Sequence, residues 1–177
     1  MLEVFNPVNA AENIGAFLVA GGDVLLVIMV ATFIMWLLIV ERFVYFVMAN
    51  RTVKRRAYAA WEDRTDHNSW YAHAIRDKLI SEVKESVSAN LNIIKVFVAV
   101  APLLGLLGTV TGMVEVFDVM AVTGSSNARL MAGGISKATI PTMAGLVASL
   151  SGIVAMNILE RQANRSISEV SDRLLIE

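Results

Sequence analysis

Hydrophobic positions gather into three runs free of Asp, Glu, Lys, Arg and His: Val24–Val40 (17 residues), Val96–Val114 (19) and Ala138–Leu159 (22). Each matches the roughly 17–25 apolar residues with which a helix crosses a hydrocarbon core of about 30 Å. The pattern predicts an all-α integral membrane protein with three transmembrane helices. Gly and Pro are absent from Asp23 through Ala101. The first span is therefore expected to continue past Glu41–Arg42 as one long helix to about Trp61. A turn is expected near Asp63–Ser69, and then a helix from Trp70 that runs on into the second span. Ahead of the first span, apolar Val8, Ala11, Ile14 and Leu18 fall at helical spacing. They predict a short amphipathic helix opening near Pro7 or Asn9, lying on the membrane surface or capping the spans.

The expected organisation follows. Residues 1–22 form an outer segment, 23–48 the first span, 49–94 a helical loop, 95–121 the second span, 122–133 a short outer loop, 134–159 the third span and 160–177 a tail.

Charge orients this plan. Ten basic residues lie in the long loop: Arg42, Arg51, Lys54, Arg55, Arg56, Arg64, Arg76, Lys78, Lys84 and Lys95. The tail adds Arg161, Arg165 and Arg173, while Arg129 and Lys137 alone lie on the opposite side. Cytoplasmic loops carry the excess of Lys and Arg, so the loop and C-terminus are expected inside and the N-terminus outside. The residues before the first span hold Glu3, Glu12 and Asp23 but no basic residue. They lack the positive region of a signal peptide, so the first span is expected to be retained.

Composition narrows the function. The 177 residues are 56% hydrophobic and 18% charged, against about half and a quarter in soluble domains. Net charge is −1, and no basic and aromatic patch points to nucleic acid. Cysteine is absent, which removes disulfides, thiolate metal sites and thiol catalysis. His67 and His73, six residues apart, fall on different faces of a helix and read as surface histidines rather than metal ligands. No cofactor is indicated. The three runs contain no His or Asp, so an intramembrane protease has no catalytic groups and the chain does not read as an enzyme.

Chemical information concentrates in the second and third spans, in or beside which lie seven of the eleven glycines. Gly105, Gly108 and Gly112 share a face in APLLGLLGTVTGM, with Thr109 beside them. In the third span Ala138, Thr142, Gly145, Ser149 and Gly152 follow at spacings of 4, 3, 4 and 3. Small residues let helices approach closely in lipid, so these positions are candidates for helix packing and for a homo-oligomer. Thr109 lies six residues before Glu115, and Thr142 five after Lys137. At 1.5 Å per residue both hydroxyls should sit roughly 7–9 Å inside the outer charges. A hydroxyl pair there could bind an ion, water or a partner carboxylate. The plainer alternative is that both bond to helix backbone. No carboxylate lies inside any run, so a titrating group for proton passage would have to come from another chain.

The strings APLLGLLGTVTGMVEVF and GGISKATIPTMAGLVASLSGIVAMNILER resemble the signature of the ExbB/TolQ/MotA proton-channel family, most of all its shorter ExbB-type members. The likeness covers Ala101 to Arg161, and the rest of the chain agrees in topology. It implies a multi-pass protein of the bacterial inner membrane that assembles as a ring, a pentamer in the family. The second and third spans would surround the helices of a single-span ExbD-like partner. A partner aspartate would titrate, facing Thr109 and Thr142 of this chain, and proton flow would drive work on a TonB-like protein. A TolQ-like role in envelope integrity shares this chemistry, and a passive membrane scaffold is the reading from a different class. The family often carries glutamate at the outer start of the third span, where this chain has Lys137. Either Glu115 takes over that mouth charge, paired with Lys137, or the charge is dispensable. Pro141, inside the third span, is expected to kink it.

Overall fold

The computed structural model describes residues 7–48, 50–63, 69–123 and 128–174. They form five helices in chain order: α1 (Pro7–Met48), α2 (Asn50–Glu62), α3 (Trp70–Ser88), α4 (Leu91–Thr123) and α5 (Ala128–Arg173). Three stretches are helical, long and apolar enough to cross a membrane: Gly21–Met48, Trp70–Val122 and Ala132–Arg173. The protein is an all-α membrane protein with helical extensions beyond its spans.

The local breaks have identifiable causes. α1 opens at Pro7, whose fixed φ suits a first helical position. Its course is interrupted at Gly22, with φ 67° and ψ −168°, a conformation essentially confined to glycine. The apolar stripe of Val8, Ala11 and Ile14 lies on side chains outside the described residues. α3 is capped by Ser69, whose hydroxyl accepts from the Ala72 amide at 3.3 Å. The expected uninterrupted helix from Trp70 into the second span is not found. α3 ends at Ser88, and Asn90 takes φ 60° before α4 begins at Leu91. Asparagine tolerates this left-handed conformation better than most residues, so a sequence free of Gly and Pro still contains a break. Pro141, by contrast, leaves α5 helical from Ala128 to Arg173. The helix thus starts six residues before the expected third span, and 124–127 lie outside the described residues.

The chain divides into two compact units. The first holds residues 1–35 and 96–151, the second 36–95 and 152–177. In the first, α1 buries Leu25, Ile28 and Met35, α4 buries Val98, Ala101 and Val116, and α5 buries Ala138 and Ala148. Large apolar side chains such as Phe33, Leu103, Leu106, Met143 and Val147 point outward. In the second unit the buried set is larger and more varied: Ile39, Phe46, Trp61, Val83, Leu91, Ile94, Leu159 and Val170.

Charges organise the second unit. Arg42, 6% exposed, donates to the Ser86 carbonyl near the end of α3 at 3.2 Å and pairs with Glu41 at 2.9 Å. Arg76 closes the end of α5 by donating to the carbonyls of Leu174 (2.7 Å) and Ser171 (3.0 Å). A cation near a helix C-terminus satisfies carbonyls that have no helical donor. Lys54 binds Glu169 at 2.6 Å, and Arg173 covers the Tyr58 ring, its guanidinium carbon 4.8 Å from the centroid. The Glu169 carboxyl is held below the ordinary glutamate range, first by its hydrogen bond from Lys54 and then by that charge.

Candidate functional site

The second and third spans meet in the first unit through residues that lack bulk. A Cβ on Gly105 would stand 2.9 Å from the Thr142 Cα, and one on Gly112 2.8 Å from the Ala138 Cα. A Cβ on Gly145 would lie 2.5 Å from the Ala101 carbonyl oxygen, and one on Gly108 would overlap the Pro141 ring. These are approaches to backbone or to a rigid ring, which cannot give way. Gly105, Gly108, Gly112 and Gly145 therefore serve the contact of α4 with α5 inside one chain. Gly152 is buried as well, in the second unit.

Hydroxyls complete this contact. Thr142 Oγ1 donates across to the Gly105 carbonyl at 2.8 Å, and Ser149 Oγ to the Val98 carbonyl at 2.9 Å. The second bond has a clear origin. Pro102 has no amide hydrogen, so the carbonyl four residues earlier, that of Val98, loses its helical donor. Ser149, 6% exposed, supplies a replacement from α5, which is how proline is accommodated in a membrane helix. Reading Ser149 from spacing as a small packing residue missed this role, although the pairing of Pro102 with a hydroxyl on the facing span was available as a signal.

Thr109 donates to the Leu106 carbonyl of its own helix at 2.7 Å. The two threonine hydroxyls thus bind the neighbouring carbonyls of Gly105 and Leu106 and reach similar depth. Successive residues of a helix are about 100° apart, so these carbonyls face different directions. Both hydroxyls bond helix backbone: Thr142 points into the α4–α5 contact, and Thr109 lies beside it, half-buried.

The two mouth charges do come together. Lys137 Nζ lies 2.6 Å from Glu115 Oε2, so the lysine holds an acid from the facing span. Both side chains keep solvent access, at 38% and 58%. Next to them Gly21, Gly22, Asp23, Val24, Gly108, Thr111 and Gly112 enclose a cavity of about 220 Å³. His73 is exposed, its Nδ1 3.0 Å from the Ser69 carbonyl, and His67 lies outside the described residues. Among the described residues, no three His, Asp or Glu gather into a metal-holding group.

Three long apolar helices, two of them closed on each other through glycines and hydroxyls, describe a multi-span membrane protein. Residues 39–172, about three quarters of the chain, match the MotA/TolQ/ExbB proton channel family, and the chain belongs to that family. It is similar to "Biopolymer transport protein exbB1" of Vibrio cholerae, 31% identical over 96 residues, covering 54% of this chain and 42% of that protein. It is also similar to "Biopolymer transport protein ExbB" of Pseudomonas putida, 30% identical over 96 residues, with 54% and 29% covered. The protein of that name from Helicobacter pylori strain J99 is 34% identical over 85 residues, with 48% and 59% covered. The chain thus matches between 29% and 59% of the length of these relatives.

Proposed function

We propose that the chain is an inner-membrane proton-channel subunit that assembles as a ring, a pentamer as in the family, around an ExbD-like single-span partner. The complex converts proton-motive force into mechanical work on a TonB-like protein for outer-membrane transport. The observation that carries this reading is the family match together with three charge-free runs that hold hydroxyls but no carboxylate. Such a channel depends on a partner's acid, and Thr109 and Thr142 are the hydroxyls of this chain that would solvate it, by turning their single hydrogens from the Leu106 and Gly105 carbonyls to the carboxylate. The excess of thirteen basic residues over two supports an outside N-terminus and an inside C-terminus.

The ring would be made by larger side chains. In the most apolar windows of the three spans only 22, 28 and 33% of residues are buried, which leaves wide faces for lipid, neighbouring subunits and the partner. The glycines are already occupied within the chain.

Liposome flux under an imposed pH gradient tests the reading. Co-reconstitution with the ExbD-like partner should allow proton entry, while the isolated subunit should stay tight. Robust flux from the isolated subunit overturns the dependence on a partner acid.

A further inference from the structure

The cavity beside the Lys137–Glu115 pair has a lining unlike the rest of the spans. Asp23, Thr111, Glu115 and Lys137 are polar, and Gly21, Gly22, Gly108 and Gly112 contribute no side chain to fill it. One buried water needs about 10–15 Å³ of such space and two to four polar partners. At about 220 Å³ the cavity holds several. Thr111 donates to its own helix, at 3.1 Å to Gly108 and 3.2 Å to Leu107, which leaves its oxygen free to accept from water. An acyl chain in this space would have to desolvate two carboxylates and an ammonium.

The Gly22 interruption builds the entrance. Its glycine-only conformation ends the N-terminal part of α1 and presents Asp23 at the cavity. A Cβ on Gly22 would stand 3.1 Å from Lys137 Cε, so the missing side chain also makes room for the lysine stem that reaches Glu115. Asp23, Glu115 and Lys137 together carry a net charge of −1, which attracts cations to the opening.

We infer that this cavity is a water-filled inlet, formed by α1, α4 and α5 of a single chain, which admits water and small cations to the spans beside any central pore. Thr111 lies four residues and Gly108 seven residues inward of Glu115. The inlet therefore carries water roughly 6–10 Å below the charged rim. On the proton-channel reading it is the supply side of the path, with Asp23 and Glu115 raising the local cation concentration.

The chain has no cysteine, so single introduced thiols report hydration directly. Thiols react as thiolates, which form in water and not in lipid. In the complex with its partner, Thr111→Cys and Val24→Cys should react with a small membrane-impermeant methanethiosulfonate added on the Asp23 side. Their rates should exceed those of the outward-facing Val110→Cys and Leu26→Cys by about tenfold or more. Equal rates within each pair, or reaction only from the other side, overturn the inlet. Two cavity positions on different helices guard against one variant failing to fold. Asp23→Asn with Glu115→Gln should lower the rate ratio of a cationic to a neutral reagent at Thr111→Cys several-fold. An unchanged ratio overturns the cation-concentrating role. Labelling does not depend on proton conduction. A reactive cavity in a complex that passes no protons would sink the proton reading and leave the inlet standing, and an unreactive cavity in a conducting complex would do the reverse.

Discussion

The same seam is built from different residues in the two units. α4 buries Leu91 and Ile94 in the second unit, and Val98, Ala101, Gly105, Gly108, Gly112 and Val116 in the first. The steps of three and four that mark close-packed helices continue throughout. α5 does likewise, with Ala138, Pro141, Gly145 and Ala148 in the first unit and Met156, Leu159, Ala163, Ser166 and Val170 in the second. Beyond the charge-free runs, at Leu91, Ile94 and Val170, the seam has charged and polar neighbours, and burying large apolar side chains removes them from water. In lipid there is no such gain, since the surroundings are as apolar as leucine, and contact rests on close backbone approach and hydrogen bonds. Periodicity is common to both regions, and what changes along it is residue size, from glycine and alanine in the first unit to larger side chains in the second.

Steric overfilling of the small seam breaks this comparison most severely. Gly145→Leu or Gly112→Leu directs bulk at backbone and should cost more than the about 1–3 kcal/mol typical of overpacked cores. Size-exclusion chromatography in detergent should show loss of the monodisperse species. Leu150→Ala, on an exposed face of the same helix, should elute as the unmutated protein does.

Removal of bulk should matter in the other unit. Leu159→Ala empties a site only 1% exposed and should destabilise by about 2–5 kcal/mol, read as a fall in the melting temperature of the purified protein. Leu146→Ala, 48% exposed in the first unit, should cost far less.

The two threonines sharpen the comparison. Hydrogen bonds between membrane helices average about 0.6 kcal/mol and reach about 1.7. Thr142→Val loses one of these and should lower both energy-dependent uptake and thermal stability. Thr109→Val loses a bond within its own helix and should lower uptake with little change in stability. Thr32→Val, whose hydroxyl bonds the Ile28 carbonyl 2.7 Å away, should leave uptake unchanged. Uptake at the unmutated rate in both pore variants, with assembly intact, would assign these threonines to packing alone.

The smallest effect is the Lys54–Glu169 pair. A folded-state carboxyl held below its ordinary value stabilises above that value, near pH 4.3, and the contribution disappears as pH falls through the depressed one. The pair is exposed, so Glu169→Gln should cost well under about 1 kcal/mol at pH 7. The loss should vanish when melting is measured in acid.

Much of this was legible in the sequence because lipid imposes a coarse rule. Three charge-free runs and clustered glycines give the spans and the close contact, and the charge offsets give the matched depth of Thr109 and Thr142. The misses came from single-residue chemistry. Asn90 ends a helix without Gly or Pro, and Ser149 answers a carbonyl that Pro102 freed. The orientation of a hydroxyl depends on which carbonyl lies within reach, and spacing along one helix does not contain that.

Among the described residues, Gly22 and Asn90 are the positions with positive φ, one in α1 and one just before α4. α5 has none along its 46 residues, a length of about 70 Å. In mechanical terms these are joints, one within α1 and one between α3 and α4, where bending is concentrated in a few backbone torsions. In α5 compliance sits instead at Pro141, where the missing amide removes one rung of the hydrogen-bond ladder and a load along the helix is taken up first.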